Sequence, residues 1–206
     1  KKKKKGVKFR GQGRKKEAMI AFEKCAEANE AGSNEWHAGK HLETCAQLAK
    51  DIGTPADVVA YAERSCAAYC TAGRSQTGAE ALSRCAKLID EKDGDAAVQL
   101  YLRACEMLED EEKHVYVADH YRAAGSVYMR KEKYAEAAEV MMRFGAACDA
   151  AGQRQSQCKA YLSAVVALLY AGNGADAQAT YADCGDVANF QGSEEQKTTY
   201  ALITGK

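Results

Sequence analysis

Small and apolar residues recur along this 206-residue chain at helical spacing, and the helical stretches themselves return about every forty residues. The pattern is plainest from Gly125 to Phe144, where Ala124, Gly125 and Tyr128 lie on one stretch and Tyr134, Ala137 and Phe144 on the next. A helical hairpin of the tetratricopeptide type calls for these residue types there. The glycine lets two helices approach, Tyr128 fills the space between them, and Ala137 receives the facing helix. Tyr134 is expected to be a buried aromatic between repeats. Positions equivalent to Ala137 are Ala18, Val58, Ala97 and Ala177, at successive intervals of 40, 39, 40 and 40 residues. Each repeat is then one helix pair that buries its apolar face only by stacking on its neighbour. The predicted fold is all-α, a tetratricopeptide-like helical-hairpin solenoid over residues 13–206.

Punctuation by Gly, Asp and Ser places the helices at Arg14 to Ala31, Asn34 to Asp51, Pro55 to Ala72, Gln76 to Glu91, Asp95 to Asp110, Glu112 to Arg130, Tyr134 to Ala150, Arg154 to Tyr170, Ala175 to Val187, and from Glu194 onward. Thr54 followed by Pro55 reads as an N-cap with proline in the first turn, where its missing N–H costs nothing. The connections are two to four residues long, so consecutive helices must run antiparallel.

Composition sharpens the picture without changing it. The chain is 47% hydrophobic and 28% charged, with one proline and 17 glycines, as befits a water-soluble helical body. No apolar run approaches the roughly 20 residues needed to cross a bilayer, no signal peptide is visible, and a cytoplasmic protein is expected. Nine cysteines first suggest a site. Five of them, Cys25, Cys45, Cys66, Cys85 and Cys105, are 20, 21, 19 and 20 residues apart, one per successive helix. That is the half-repeat spacing, so they read as small buried packing residues rather than metal or redox ligands. The closest pair is Cys66 and Cys70, with three residues between them.

Formal net charge is zero, which argues against nucleic acid as the main partner. The charge is unevenly spread: residues 1–16 carry ten bases and no acid, leaving an acidic body. Residues 1–12 are expected to be a basic leader outside the folded body, disordered or adventitious, though such a run also attracts anionic lipid.

Candidate chemistry is thin, and no catalytic residue, metal or cofactor is expected. His37, His41 and Cys45 recur at every fourth position of one helix, but the ligands drift by about 40° per step and no fourth joins them. His114 and His120 have no nucleophile motif beside them. Gly172-Asn173-Gly174 and Gly11-Gln12-Gly13 lack the strand and lysine of a phosphate loop and read as turns. A repeat solenoid presents the first helix of each pair along a concave face, and exposed residues there choose the partner. In the helix before Tyr134 this face includes Asp119, Arg122, Ser126 and Arg130, and one period later comes Lys159. Arg122, Arg130 and Lys159 form a candidate docking site for acidic helices.

The stretch ALSRCAKLIDEKDGDAAVQLYLRACEMLEDEEK, from Ala81 to Lys113, and the late segment Phe190-Gln191-Gly192-Ser193-Glu194-Glu195 resemble the soluble NSF attachment proteins, above all their gamma form. The resemblance runs from about residue 13 to 196. It implies an adaptor that docks on the four-helix SNARE complex, recruits the AAA+ ATPase N-ethylmaleimide-sensitive factor for SNARE disassembly in vesicle trafficking, and has no catalytic residues of its own. Arg122 falls on a position that is basic in the alpha relative and faces the SNARE bundle. The family's membrane-touching apolar loop has its counterpart in Val7, Lys8 and Phe9, which implies a cytoplasmic protein peripheral on membranes. The family's ATPase contacts belong to a C-terminal bundle, and none is assigned here. Other readings are a generic repeat scaffold of the coat or proteasome-lid type, and a thiol or zinc enzyme using Cys66 and Cys70 or His37 and His41.

Overall fold

The computed structural model of this chain describes residues 2–205, with side chains from Lys3 onward. Among the described residues there are eleven α-helices, one short 3-10 helix and no strand. The chain divides into two compact units, Lys1–Leu108 and Glu109–Lys206, where the repeat pattern predicts one uninterrupted stack beginning at residue 13. The first unit holds α1 (Lys2–Gly11), α2 (Lys15–Glu30), α3 (Glu35–Ile52), α4 (Pro55–Thr71), α5 (Ser75–Ile89) and nearly all of α6 (Gly94–Glu109). The second holds α7 (Ala118–Arg130), α8 (Tyr134–Ala150), α9 (Arg154–Tyr170), α10 (Gly174–Gly185) and α11 (Glu194–Thr204).

Within each unit the hairpin logic holds. In the first, α2 packs on α3, α3 on α4 and α4 on α5, and α3 also touches α5, the first helix of the next pair. In the second, α7 packs on α8, α8 on α9, and α9 on both α10 and α11. Ala18, Val58, Ala97, Ala137 and Ala177, the positions that define the period, are all at most 1% exposed. Buried where helices pack, they leave little room for a larger side chain.

The helix ends follow from local chemistry. Thr54 caps α4 in a full capping box: its hydroxyl accepts from the Asp57 N–H, and the Asp57 carboxylate accepts from the Thr54 N–H at 2.7 Å. These bonds to the charged carboxylate hold the Asp57 pKa below its usual value. Asn173 and Ser193 cap α10 and α11 from one side, each side chain accepting the N–H of the residue three on, Asp176 and Gln196. The helices α4 and α8 end on left-handed Gly73 (φ 68°) and Gly152 (φ 67°), whose following N–H groups bond back to Tyr69 and Cys148. The two glycine triplets read as turns do connect helices, α1 to α2 and α9 to α10.

Three expectations need correction. Residues 2–11, expected as a disordered leader, form α1. Two apolar contacts hold it: Gly6 is buried so close to Phe22 that a Cβ there would lie 3.1 Å from the ring, and Phe9 packs on the cluster of Ala18, Phe22, Cys45 and Leu48. The helix expected from Glu112 starts only at Ala118; Glu112 is left-handed (φ 57°), and His114–Tyr116 make a single 3-10 turn. Tyr134 is only half-buried, stacked at 6.0 Å on Tyr170, which is 68% exposed. The aromatic that fills the interior there is Tyr121, fully buried against Phe144 and donating its hydroxyl to Glu109 at 2.6 Å.

Candidate partner-binding grooves

The second unit carries a groove of about 420 Å³ between α7 and α9, floored by α8. Its walls are mainly apolar: Met129 from α7, Met141 from α8, and Leu162 and Val166 from α9. At Gly125 the flexible end of Met141 lies against bare backbone: a Cβ there would come 2.4 Å from the Met141 methyl, while the next nearest atoms are at ordinary contact distance. Arg122 stands at the rim. Its guanidinium is half exposed, pairs with Asp119 at 3.3 Å and lies 5.2 Å over the Phe144 ring. That ring fixes the direction of the arginine, while the pair with a 94% exposed carboxylate is easily exchanged for a partner's acid.

Of the predicted docking residues Arg122 lines this groove, next to Ser126 of the same helix face, and Arg130 donates to the Ser126 hydroxyl at 3.0 Å. Lys159 is exposed on α9, one turn before the groove residue Ser163, which donates to its backbone carbonyl, but Lys159 is not among the lining residues. The groove presents an apolar floor with basic side chains along its edge, the surface an amphipathic helix with an acidic flank would fit.

A second groove, about 670 Å³, lies in the first unit across α1, α3 and α5, again the first helices of their pairs. Lys3 and Arg10 come from α1, Trp36, Lys40 and Glu43 from α3, and Arg84 from α5. The Lys40 ammonium sits 4.0 Å over the Trp36 ring. Glu43 is held from two sides: Arg84 donates to it at 3.0 and 3.1 Å, and the Tyr69 hydroxyl at 2.7 Å. Burial, followed by the Glu43 hydrogen bond, pushes the Tyr69 hydroxyl far above its ordinary pKa, so it stays a donor. With Glu43 balanced by Arg84, Lys3, Arg10 and Lys40 leave this groove basic. Behind it, Gly39 admits the Tyr69 ring at a distance of 3.0 Å from where a Cβ would stand.

Sequence reasoning missed this groove because it set the leader aside. One signal was available: ion pairs between neighbouring repeats lie one period apart, as in Glu43 with Arg84 and Glu23 with Arg64, each 41 residues apart. Tracing opposite charges at that interval would have aligned α3 with α5.

The histidines go separate ways. His37 is exposed and bonded to Asn34 at 2.8 Å, whereas His41 is buried beside the Phe22 ring. Burial, then the charges of Lys3 and His37, holds the His41 pKa below its ordinary value. Cys45 is buried, with its thiol donating to the Met19 carbonyl. His114 lies in the 3-10 turn and His120 is buried in α7. Eight cysteines are buried and Cys70 is exposed. Val7 and Lys8 are exposed on α1, but Phe9 turns inward under the Arg14 guanidinium, so these three residues lie on a helix rather than an apolar loop. Val7 of α1 and Ile20 of α2 are large exposed apolar side chains, and Ile20 shares a surface depression with Lys5 and Lys24. No described helix is long and apolar enough to cross a membrane.

Known proteins resemble this chain over nearly its whole length. A model of the family described as "Soluble NSF attachment protein, SNAP" matches residues 3–205. The gamma-soluble NSF attachment protein of Arabidopsis thaliana is 34% identical over 196 residues, covering 95% of this chain and 67% of the relative. That of Dictyostelium discoideum is 26% identical over 167 residues, covering 81% of this chain and 52% of the relative. The chain thus spans between about half and two thirds of the length of these relatives. Among solved structures, the apo form of RapI superposes with a TM-score of 0.50 at 13% identity, over 98% of this chain and 56% of that one, a likeness of fold alone. The match begins at residue 3, within α1, so the basic helix that completes the first groove is part of the shared pattern, and the chain belongs to the soluble NSF attachment protein family.

Proposed function

We propose that this chain is an adaptor that holds assembled SNARE bundles on its first-helix grooves and brings N-ethylmaleimide-sensitive factor to them for disassembly. The observation that carries the reading is the family match over residues 3–205. The grooves suit it: each has a basic rim, which complements helices with acidic outer faces. In the second unit Arg122, with Arg130 and Lys159 beside it, receives acidic side chains while the Met129 and Val166 wall takes an apolar edge. In the first unit Lys3, Arg10 and Lys40 do the same. The adaptor holds and recruits, and no catalytic step is assigned to it.

Membrane contact belongs to the same proposal, on the cytoplasmic side and peripheral. Val7 and Ile20 offer exposed apolar side chains, and Lys5, Lys8 and Lys24 offer charges for an anionic leaflet, each worth about 1 kcal/mol near such a surface. Phe9 acts from beneath, fixing the helix that presents Val7.

Reconstitution tests the adaptor reading: the full-length protein is added to assembled SNARE complex and N-ethylmaleimide-sensitive factor with ATP, and release of individual SNARE proteins is followed. ATP-dependent release that requires the added protein supports it. A protein that neither binds the complex nor recruits the ATPase is a repeat scaffold of another kind.

A further inference from the structure

Away from both grooves, three sulfur atoms meet at Cys66 of α4: its own, that of Cys70 one turn on, and the Met107 thioether of α6. Cys66 and Cys70 stand one turn apart on α4 and are hydrogen-bonded to each other. Both lie against Gly78: a Cβ built there would be 3.2 Å from the Cys66 sulfur and 3.4 Å from the Cys70 sulfur. The Cys66 sulfur is also 3.5 Å from the Met107 thioether of α6. A side chain at position 78 would crowd the Cys66 carbonyl and sulfur and touch the Cys70 sulfur. The cluster is reachable: Cys66 and Gly78 are buried and Met107 is half-buried, but Cys70 is exposed.

We propose that Cys66, Cys70 and Met107 form a binding site for one monovalent soft metal ion, Cu(I). Thiolate and thioether donors select Cu(I) among biological metals, while zinc asks for four nitrogen or sulfur ligands in a tetrahedron. Three sulfurs set trigonally around one ion at a metal–thiolate distance of about 2.3 Å stand about 4 Å apart. The Cys66 and Met107 sulfurs are already within half an ångström of that separation. Binding forms two Cu–thiolate bonds and one Cu–thioether bond and releases the two thiol protons to solvent. Copper and sulfur keep their oxidation states. The occupied site carries one net negative charge, which the Arg103 guanidinium beside Cys66 offsets and Glu63 opposes. The sequence conceals the site because the third sulfur lies 41 residues from Cys66.

The test is anaerobic titration of the reduced chain with Cu(I) in competition with the coloured chelator bicinchoninate, with Zn(II) titrated in parallel. The wild type is expected to take one equivalent of Cu(I) from the chelator. Cys70→Ser should weaken binding by at least about 100-fold and Met107→Leu by about tenfold, the span seen when even outer-shell partners of a metal are removed. Both variants should keep the wild-type helical spectrum and melting midpoint, since Cys70 is exposed and Leu matches Met in volume. Cys184→Ala is the control: Cys184 is a buried thiol of the second unit, 3.7 Å from the Met142 thioether and clustered with Cys158, outside the proposed site, and its loss should leave the one-equivalent copper binding unchanged. The proposal is overturned if the wild type takes no Cu(I) from the chelator, if Cys70→Ser and Met107→Leu bind like the wild type, or if Cys184→Ala weakens binding as much as they do.

Discussion

Two glycines show how differently the same absence of a side chain can act. At Gly145 an added Cβ would fall 2.2 Å from the Tyr161 ring, which is buried, meets Phe190 edge-on at 5.8 Å and shares a hydrogen bond with Gln157. The ring has nowhere to go, so Gly145→Ala should destabilise the second unit by about 1 to 3 kcal/mol, as overpacking does elsewhere. At Gly125 the nearest atom is the terminal methyl of Met141, which can swing aside into the groove. There the helix preference for alanine, about 0.5 to 1 kcal/mol, offsets the crowding, and Gly125→Ala should be close to neutral. Urea denaturation of the two variants separates the cases; equal losses would mean that both contacts are equally rigid. The sequence pointed to Gly125 as the helix approach and passed over Gly145, because spacing reveals a small residue but not the stiffness of what faces it.

His41 gives a residue-scale prediction in pH. Its folded pKa is depressed, first by burial and then by Lys3 and His37, so below its ordinary value of 6.5 the unfolded chain takes up a proton more readily than the folded one. Its contribution to stability is therefore complete above 6.5 and is lost as pH falls from there through the lowered folded pKa. Comparing His41→Gln with the wild type isolates this group from the carboxylates. The wild type should lose more stability than the variant between neutral pH and the acid side of that window, and parallel pH curves would show that His41 is solvated.

At the scale of the elements, the helices were legible because their ends have local causes. Thr54 with Pro55, and Gly73 and Gly152 after α4 and α8, act within a turn of themselves, and a window of sequence contains everything they need. The helix α1 was not legible. Its own sequence is too polar to suggest burial, and what orders it, Phe22 beyond the next turn and Cys45 and Leu48 on α3, is supplied by other helices. The cysteine spacing was legible as packing because it repeats with the helices. Burial raises Cys45, Cys85 and Cys184 to about 12, well above the ordinary thiol range. A thiol reagent at mildly alkaline pH should thus modify Cys70 quickly in the native protein and all nine cysteines only after unfolding. Rapid native reaction of several thiols would show that the helices open far more readily than this packing allows.

At the scale of the whole molecule, the candidate site was legible where period and chemistry coincided. Arg122 could be placed because it sits on a helix face fixed by the repeat and next to Gly125. The groove of the first unit was not, because it depends on α1 and on Trp36, Lys40 and Arg84, which become neighbours only when α3 and α5 stack. Both grooves follow the same rule, with first helices forming the wall and basic side chains the rim, and the proposed docking rests on that rule. The most direct test is to titrate fluorescently labelled, assembled SNARE bundle with the chain and with Arg122→Glu/Lys159→Glu, following anisotropy at low and physiological salt. The account predicts binding that weakens as salt rises and at least about a tenfold loss in the double reversal, since both charges meet an acidic surface, with the helical spectrum unchanged. Binding by the double reversal equal to the wild type would contradict the proposed docking face, and no binding by the wild type at either salt would contradict the adaptor function itself.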